Sequence, residues 1–140
     1  MKVIDATDAV VGRMAARVAK MLLQGEEVAI VNAEKAVVSG SPKKIVEKYF
    51  LRRKVQQKAN PEESPKWPRR PDLLLKRIIR GMLPKKSARG KNALRKLRCY
   101  IGVPKEFEGK SVEKIVKTAK DFNCRFISIQ KVCEKLGWHG

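Results

Sequence analysis

Apolar and polar positions follow two rhythms along this chain, one of strands and one of helices. Lys2 to Ala6 (KVIDA) is a short β-branched run and predicts a first strand. Thr7 and Asp8 can cap a helix beginning just after them. From Val11 to Leu23 the apolar set Val11, Met14, Ala15, Val18 and Leu22 recurs at helical spacing, and Arg13, Arg17 and Lys20 share the opposite face. Gly25, Glu26 and Glu27 make a turn. Val28 to Asn32 (VAIVN) is nearly all apolar, as expected of a central strand covered on both faces. Strand, helix and strand in this order predict a βαβ unit with parallel pairing. Ala36 to Ser39 reads as a third strand, closed by Gly40. Ser41 then caps a helix with Pro42 at its first position, running to about Arg53. Ile45, Val46, Tyr49 and Phe50 form its apolar stripe, with Lys43, Lys44, Lys48 and Arg52 outward.

From Lys54 to Pro71 the periodicity dissolves into a proline-rich stretch, and a loop this long in a compact domain is functional or disordered. Trp67 stands alone there amid prolines and arginines; stacking on a base and packing on the domain are equal readings. Leu74, Leu75, Ile78, Ile79 and Met82 then restore helical spacing, with Lys76, Arg77 and Arg80 on the other side. Gly81 and Pro84 break this helix. Pro84 lacks an amide hydrogen and disfavours helical geometry at Leu83, while Gly81 gives room for a left-handed turn or for close approach to a phosphate. A bare basic loop comes next (Lys85, Lys86, Arg89, Lys91), then a short helix from Ala93 to Leu97 with Arg95 and Lys96 outward. Cys99 to Val103 reads as a fourth strand. Ser111 to Lys120 reads as a helix, Phe126 to Ile129 as a short apolar stretch, and Lys131 to Leu136 as a last helix. Residues 1–140 suit a single domain, with a basic segment at about 54–98.

Charge changes the picture most between Lys66 and Arg98. Thirteen Lys or Arg face the single acid Asp72 there, so this segment supplies +12 of the formal +19. Runs of mixed sign are solvated faces, but like charges without partners repel one another in the folded state. A phosphate backbone uses such a surface best, because each neutralised phosphate releases condensed counterions. The Gly and Pro interruptions disfavour an amphipathic membrane helix, and the longest apolar runs are far short of a membrane span. Residues 1–10 carry Asp5 and Asp8 and no long apolar run, so no signal peptide is expected and the chain reads as cytoplasmic.

Catalytic chemistry finds little support. Cys99, Cys124 and Cys133 are odd in number, lack CxxC spacing, and have only His139 for company, so they read as small buried thiols with no metal. The turn after Asp5, ATDAVVGRMA, contains Gly12 alone, without the GxGxxG or GKS/T spacing that holds nucleotide phosphates. Glu34 or Glu47 could serve a catalytic pair, yet nothing fixes either beside a second acid or a base. No enzyme, cofactor or small-molecule substrate is expected.

IDATDAVVGRMA (4–15), VAIVNAEKAVVSG (28–40) and RGMLPKKSARGKNALRKLRCYIGVP (80–104) together resemble the large-subunit ribosomal protein thirteen family. The resemblance runs in order through most of residues 2–104 and is loose over 105–140. It implies an α/β fold, a three-layer α/β/α sandwich on a four-stranded parallel sheet with a basic helical and loop extension. It also implies a structural role: binding large-subunit ribosomal RNA and supporting subunit assembly, with neighbouring ribosomal proteins as further partners. A non-ribosomal RNA-binding protein or RNA chaperone is the alternative. The short turn at 25–27 and the ARGKNAL string resemble the archaeal and eukaryotic branch, and the stop at Gly140 the archaeal members. The family signature falls on Gly81, Met82, Leu83 and Pro84. Charge and resemblance together give the expected RNA-facing set: Arg52, Arg53, Lys54, Trp67, Arg69, Arg70, Lys76, Arg77, Arg80, Gly81, Met82, Pro84, Lys85, Lys86, Arg89, Lys91, Arg95 and Lys96.

Overall fold

The computed structural model describes residues 1–140 throughout. Its strands are β1 (Lys2–Asp5), β2 (Val28–Val31), β3 (Val37–Ser39), β4 (Leu97–Cys99) and β5 (Phe126–Ser128). Its helices are α1 (Val11–Leu23), α2 (Pro42–Lys54), α3 (Pro71–Gly81), α4 (Ala88–Arg95) and α5 (Ile129–Lys135). β1, β2 and β4 pair in parallel in the order β1-β2-β4, and all four residues of the central β2 are buried, as its unbroken apolar run requires.

The pleat divides the sheet's side chains between two unequal cores. Ile4, Val28, Ile30 and Leu97 join one cluster with Met14, Val18 and Leu22 of α1, Leu74, Leu75 and Ile79 of α3, and Ile129, Val132 and Cys133 of α5. Val3, Ala29 and Val31 form a small second cluster, closed by Phe107 with Tyr100 packed against it, the two rings 5.5 Å apart. Loop aromatics thus cover that face where a sandwich would place a helical layer.

Four expectations need correction. The sheet has three parallel strands rather than four, because β3 pairs antiparallel with β5 in a separate ribbon. The fourth strand lies at Leu97–Cys99 instead of 99–103; Gly102, at φ +67°, turns the chain away. Residues 111–120 form no α-helix. Glu113 lies beside the open edge of β1, its amide donating to the Val3 carbonyl (3.0 Å) and its carbonyl accepting from Asp5 (3.1 Å). The spacing of Val112, Ile115 and Val116 mimics a helix, but these β-branched residues serve an edge that needs a partner. Finally, Phe50 is 48% exposed, so the buried stripe of α2 narrows to Ile45 and Tyr49 with Val46 half-buried.

The caps also differ. Val10 occupies the N-cap of α1 without a side-chain bond, and Ser41 makes none at α2. Thr7 instead donates its amide (3.0 Å) and hydroxyl (2.6 Å) to Asp5 Oδ1, which also accepts from Asn32 Nδ2 (3.0 Å). Burial raises the Asp5 pKa, but the bonds from Thr7 and Asn32 outweigh it and hold the carboxyl below its usual value. The Asp5 carboxylate therefore occupies the strand-end position at which nucleotide-binding α/β folds seat a phosphate.

Cys133 is buried, Cys99 half-buried and Cys124 exposed, so the expectation of three buried thiols fails at Cys124. Burial pushes the Cys99 and Cys133 thiols up to about 12, whereas an unfolded thiol ionises near pH ~8.5. The folded state then keeps protons that the unfolded state releases. This contribution to stability is complete below about pH 8.5 and is lost as pH rises toward about 12. At pH ~9 a thiol reagent is expected to modify Cys124 promptly and the other two only in denaturant. Prompt modification of all three would contradict this.

Candidate nucleic-acid interface

The α3–α4 corner carries the basic surface. α3 starts at Pro71, whose missing amide costs nothing at a first helical position. Leu74, Leu75 and Ile79 point into the core. The helix ends at Gly81. Met82 and Leu83 continue as a tight turn, their amides donating to the carbonyls of Ile79 (2.9 Å) and Arg80 (3.2 Å). Leu83 plugs back into the core, which leaves Pro84 at the outside of the bend.

The segment beyond Pro84 is not a bare loop. α4 begins at Ala88, five residues earlier than expected, because Ser87 caps it: Ser87 Oγ accepts from the Gly90 amide at 3.2 Å. The Pro84 carbonyl in turn accepts from the Ser87 amide (3.3 Å) and hydroxyl (3.2 Å). Arg89 and Lys91 therefore stand on a helix. Gly90 is the glycine this corner requires, since a Cβ there would lie 2.0 Å from the Pro84 carbonyl oxygen. Gly81 is helical, has no positive φ, and its Cβ would meet nothing within 4 Å. Of the two readings of Gly81, the left-handed turn is absent. Gly90→Ala is expected to cost about 1–3 kcal/mol by overpacking, while Gly81→Ala should stabilise by about 0.4–1 kcal/mol. Chemical denaturation of both variants checks this; the reverse ranking would contradict the corner's geometry.

Two clefts open on this corner. The first, about 390 Å³, is lined by Lys76, Arg80, Lys85, Lys91 and Arg95 around Leu83, Gly90 and Leu94. The second, about 350 Å³, is lined by Lys48, Tyr49, Arg52, Trp67, Arg77 and Ile78, together with Arg80, Gly81 and Lys85. Arg80 and Lys85 belong to both, and neither cleft contains an acid. Ion pairs do not relieve the crowding: of the chain's three, only Arg70–Asp72 (3.0 Å) lies between Lys66 and Arg98. Burial first, then the charges of Arg80 and Arg52, hold the Arg77 guanidinium below its usual pKa. Burial, then Arg69, does the same to Arg53.

Trp67 is half-buried against the core, edge-on to Tyr49 at 6.1 Å. Arg77 lies 4.1 Å and Arg52 4.8 Å from its ring centroid. Arg53 donates to the Trp67 carbonyl and Arg77 to the Lys66 carbonyl. These bonds fasten the long 55–70 segment to α2 and α3. Arg77, expected to project freely, is thus partly a structural residue.

The other expected residues disperse. Lys54 sits over Phe50, and Arg69 runs beside Gly137. Arg89 donates to the Leu23 carbonyl (3.4 Å) and Lys96 to the Gly25 carbonyl (3.0 Å), so both are partly used at the C-terminal end of α1. Met82 and Arg89 line a groove against Ala19, Lys20 and Leu23 rather than either cationic cleft. Pro84 and Lys86 are exposed at the bend. Lys48 and Tyr49 were not expected in the site; the signal was the basic outward face of α2, whose approach to α3 depends on the path of the 55–70 segment. Glu34 is almost fully buried and accepts from the Gly102 amide (3.1 Å), a staple between loops rather than half of a catalytic pair. No cluster of His, Cys, Asp and Glu in the structure could hold a metal, and no helix is long and apolar enough to cross a membrane.

Comparison with known proteins matches residues 1–106 to a family model described as Ribosomal protein L13. A protein named large ribosomal subunit protein uL13 from Methanococcoides burtonii is 47% identical over 140 residues, covering 98% of each chain. Proteins of the same name from Archaeoglobus fulgidus and Saccharolobus solfataricus are each 39% identical. They cover 99% of this chain and 88% and 93% of their own lengths, so the similarity extends into residues 107–140.

Proposed function

The chain belongs to the ribosomal protein L13 family, and from that premise we propose that it is a structural constituent of the large ribosomal subunit that grips ribosomal RNA through the α3–α4 corner. It is not an enzyme. The observation that carries the site is the pair of acid-free clefts sharing Arg80 and Lys85, in a segment where twelve of thirteen cations make no ion pair. Cations left unpaired in a folded protein repel one another, and phosphates relieve that repulsion. Helices, not a loop, carry Lys76, Arg80, Lys91 and Arg95, so their backbone positions are set before RNA arrives and no loop has to order on binding.

In the cell the partners on this reading are large-subunit ribosomal RNA and neighbouring ribosomal proteins, within the cytoplasmic ribosome. Binding is expected to be stoichiometric and to survive a high-salt wash of purified large subunits. An RNA chaperone would be released by such a wash and appear with free RNA. Sedimentation of washed subunits, probed for this chain, separates the two: recovery in the large-subunit fraction supports the ribosomal role, and quantitative loss overturns it.

A further inference from the structure

The two clefts differ in chemistry, and that difference assigns them different parts of an RNA. The first has five cations and no aromatic ring, which suits the phosphates of a backbone. The second has five cations as well, but adds Tyr49 and Trp67 and the guanidinium planes of Arg52 and Arg77, which lie over the Trp67 ring. We propose that this second cleft receives one unpaired, extruded nucleotide of the RNA whose adjoining backbone lies in the first cleft. This rests on the RNA-binding reading above and names what its second half recognises.

Three observations support a nucleotide over a bare phosphate. The volume, about 350 Å³, lies at the small end of the ~300–1,000 Å³ of ligand clefts, more than a phosphate needs. Guanidinium planes and aromatic rings are the surfaces on which unstacked bases are held in single-stranded and looped RNA. The cleft is also kept open: Gly81 contributes backbone without a side chain, and the space its Cβ would enter is empty. Arg80 and Lys85 form the wall between the clefts, where a phosphate flanking the flipped nucleotide would be held from both sides. Trp67 need not move, because its ring is already engaged and the guanidiniums present the stacking surface.

Two RNA hairpins of identical stem sequence test this, one fully paired and one carrying a single bulged 2-aminopurine. Stacking on guanidinium is sequence-tolerant, so an arbitrary stem suffices. The chain is expected to bind the bulged hairpin about tenfold more tightly, as one stacked base would give, with quenching of 2-aminopurine fluorescence. Gly81→Leu fills the cleft without removing a charge, and circular dichroism verifies its fold. It is expected to abolish the preference and the quenching, so that the bulged and paired hairpins bind alike. Lys91→Ala with Arg95→Ala, in the first cleft, should weaken both hairpins equally and keep the preference. Equal affinity of the wild-type chain for the two hairpins, or quenching that persists in Gly81→Leu, overturns the assignment of this cleft but not RNA binding. Failure to bind either hairpin overturns both.

Discussion

Replacing Arg80, Lys85, Lys91 and Arg95 together by alanine is expected to lower RNA affinity on the order of 10³-fold at about 0.1 M salt. Each phosphate contact contributes roughly −0.7 to −0.9 to the slope of log affinity against log salt, so removing four should flatten it by about three units. The four side chains line the first cleft, and none makes an ion pair, so no folded-state partner is lost. Stability should stay the same or rise slightly as like-charge repulsion falls. The control removes the same net charge elsewhere, at Lys105, Lys114, Lys117 and Arg125, all outside the corner. A general electrostatic attraction would make the two quadruple variants alike. A local grip makes the corner variant several times flatter in slope than the control, and titration at three or four salt concentrations distinguishes them.

Leu75→Ala is expected to cost on the order of 3–5 kcal/mol. Leu75 is fully buried among the side chains that join α3 to α1 and the sheet, a site with little room to collapse. Arg77, two residues on, is the informative comparison. Its guanidinium lies 4.1 Å from the Trp67 ring centroid and bonds the Lys66 carbonyl. Arg77→Ala should therefore cost about 1–2 kcal/mol rather than the few tenths of an uncontacted surface residue. It should also make the 55–70 segment more sensitive to protease. Denaturant melts of the two variants, with limited proteolysis of the second, check both. A neutral Arg77→Ala would mean that the segment is fastened by Arg52 and Arg53 alone.

Much of the fold is legible in the chain because local rules and tertiary structure agree. α1 and β2 appear where periodicity places them, to within a residue, since each buries one continuous apolar stripe or run. The buried face of α3 is equally plain. Legibility fails where a distant partner decides the local state. Glu113 is extended because β1 offers a free edge, and β3 leaves the parallel sheet because β5, near the other end of the chain, pairs with it. Neither edge nor partner is visible in a local window. At the site the cations themselves are readable, but their grouping is not. Separating Arg80 and Lys85 from Arg89 and Lys96 requires knowing that the end of α1 lies within reach of the latter pair. Two local signals escape the sequence reading, both serine caps. Ser87, three residues past Pro84, marks a helix start that the density of charge obscures, and Ser128 starts α5 at Ile129, two residues before the expected Lys131.

The most direct measurement is a map of the assembled large subunit with side chains resolved at the α3–α4 corner. Arg80 and Lys85 are expected within hydrogen-bonding distance of ribosomal RNA phosphates, with Lys91 and Arg95 on the same backbone stretch. A corner facing solvent or another protein, with RNA instead along residues 105–125, would contradict the interface proposed for this chain.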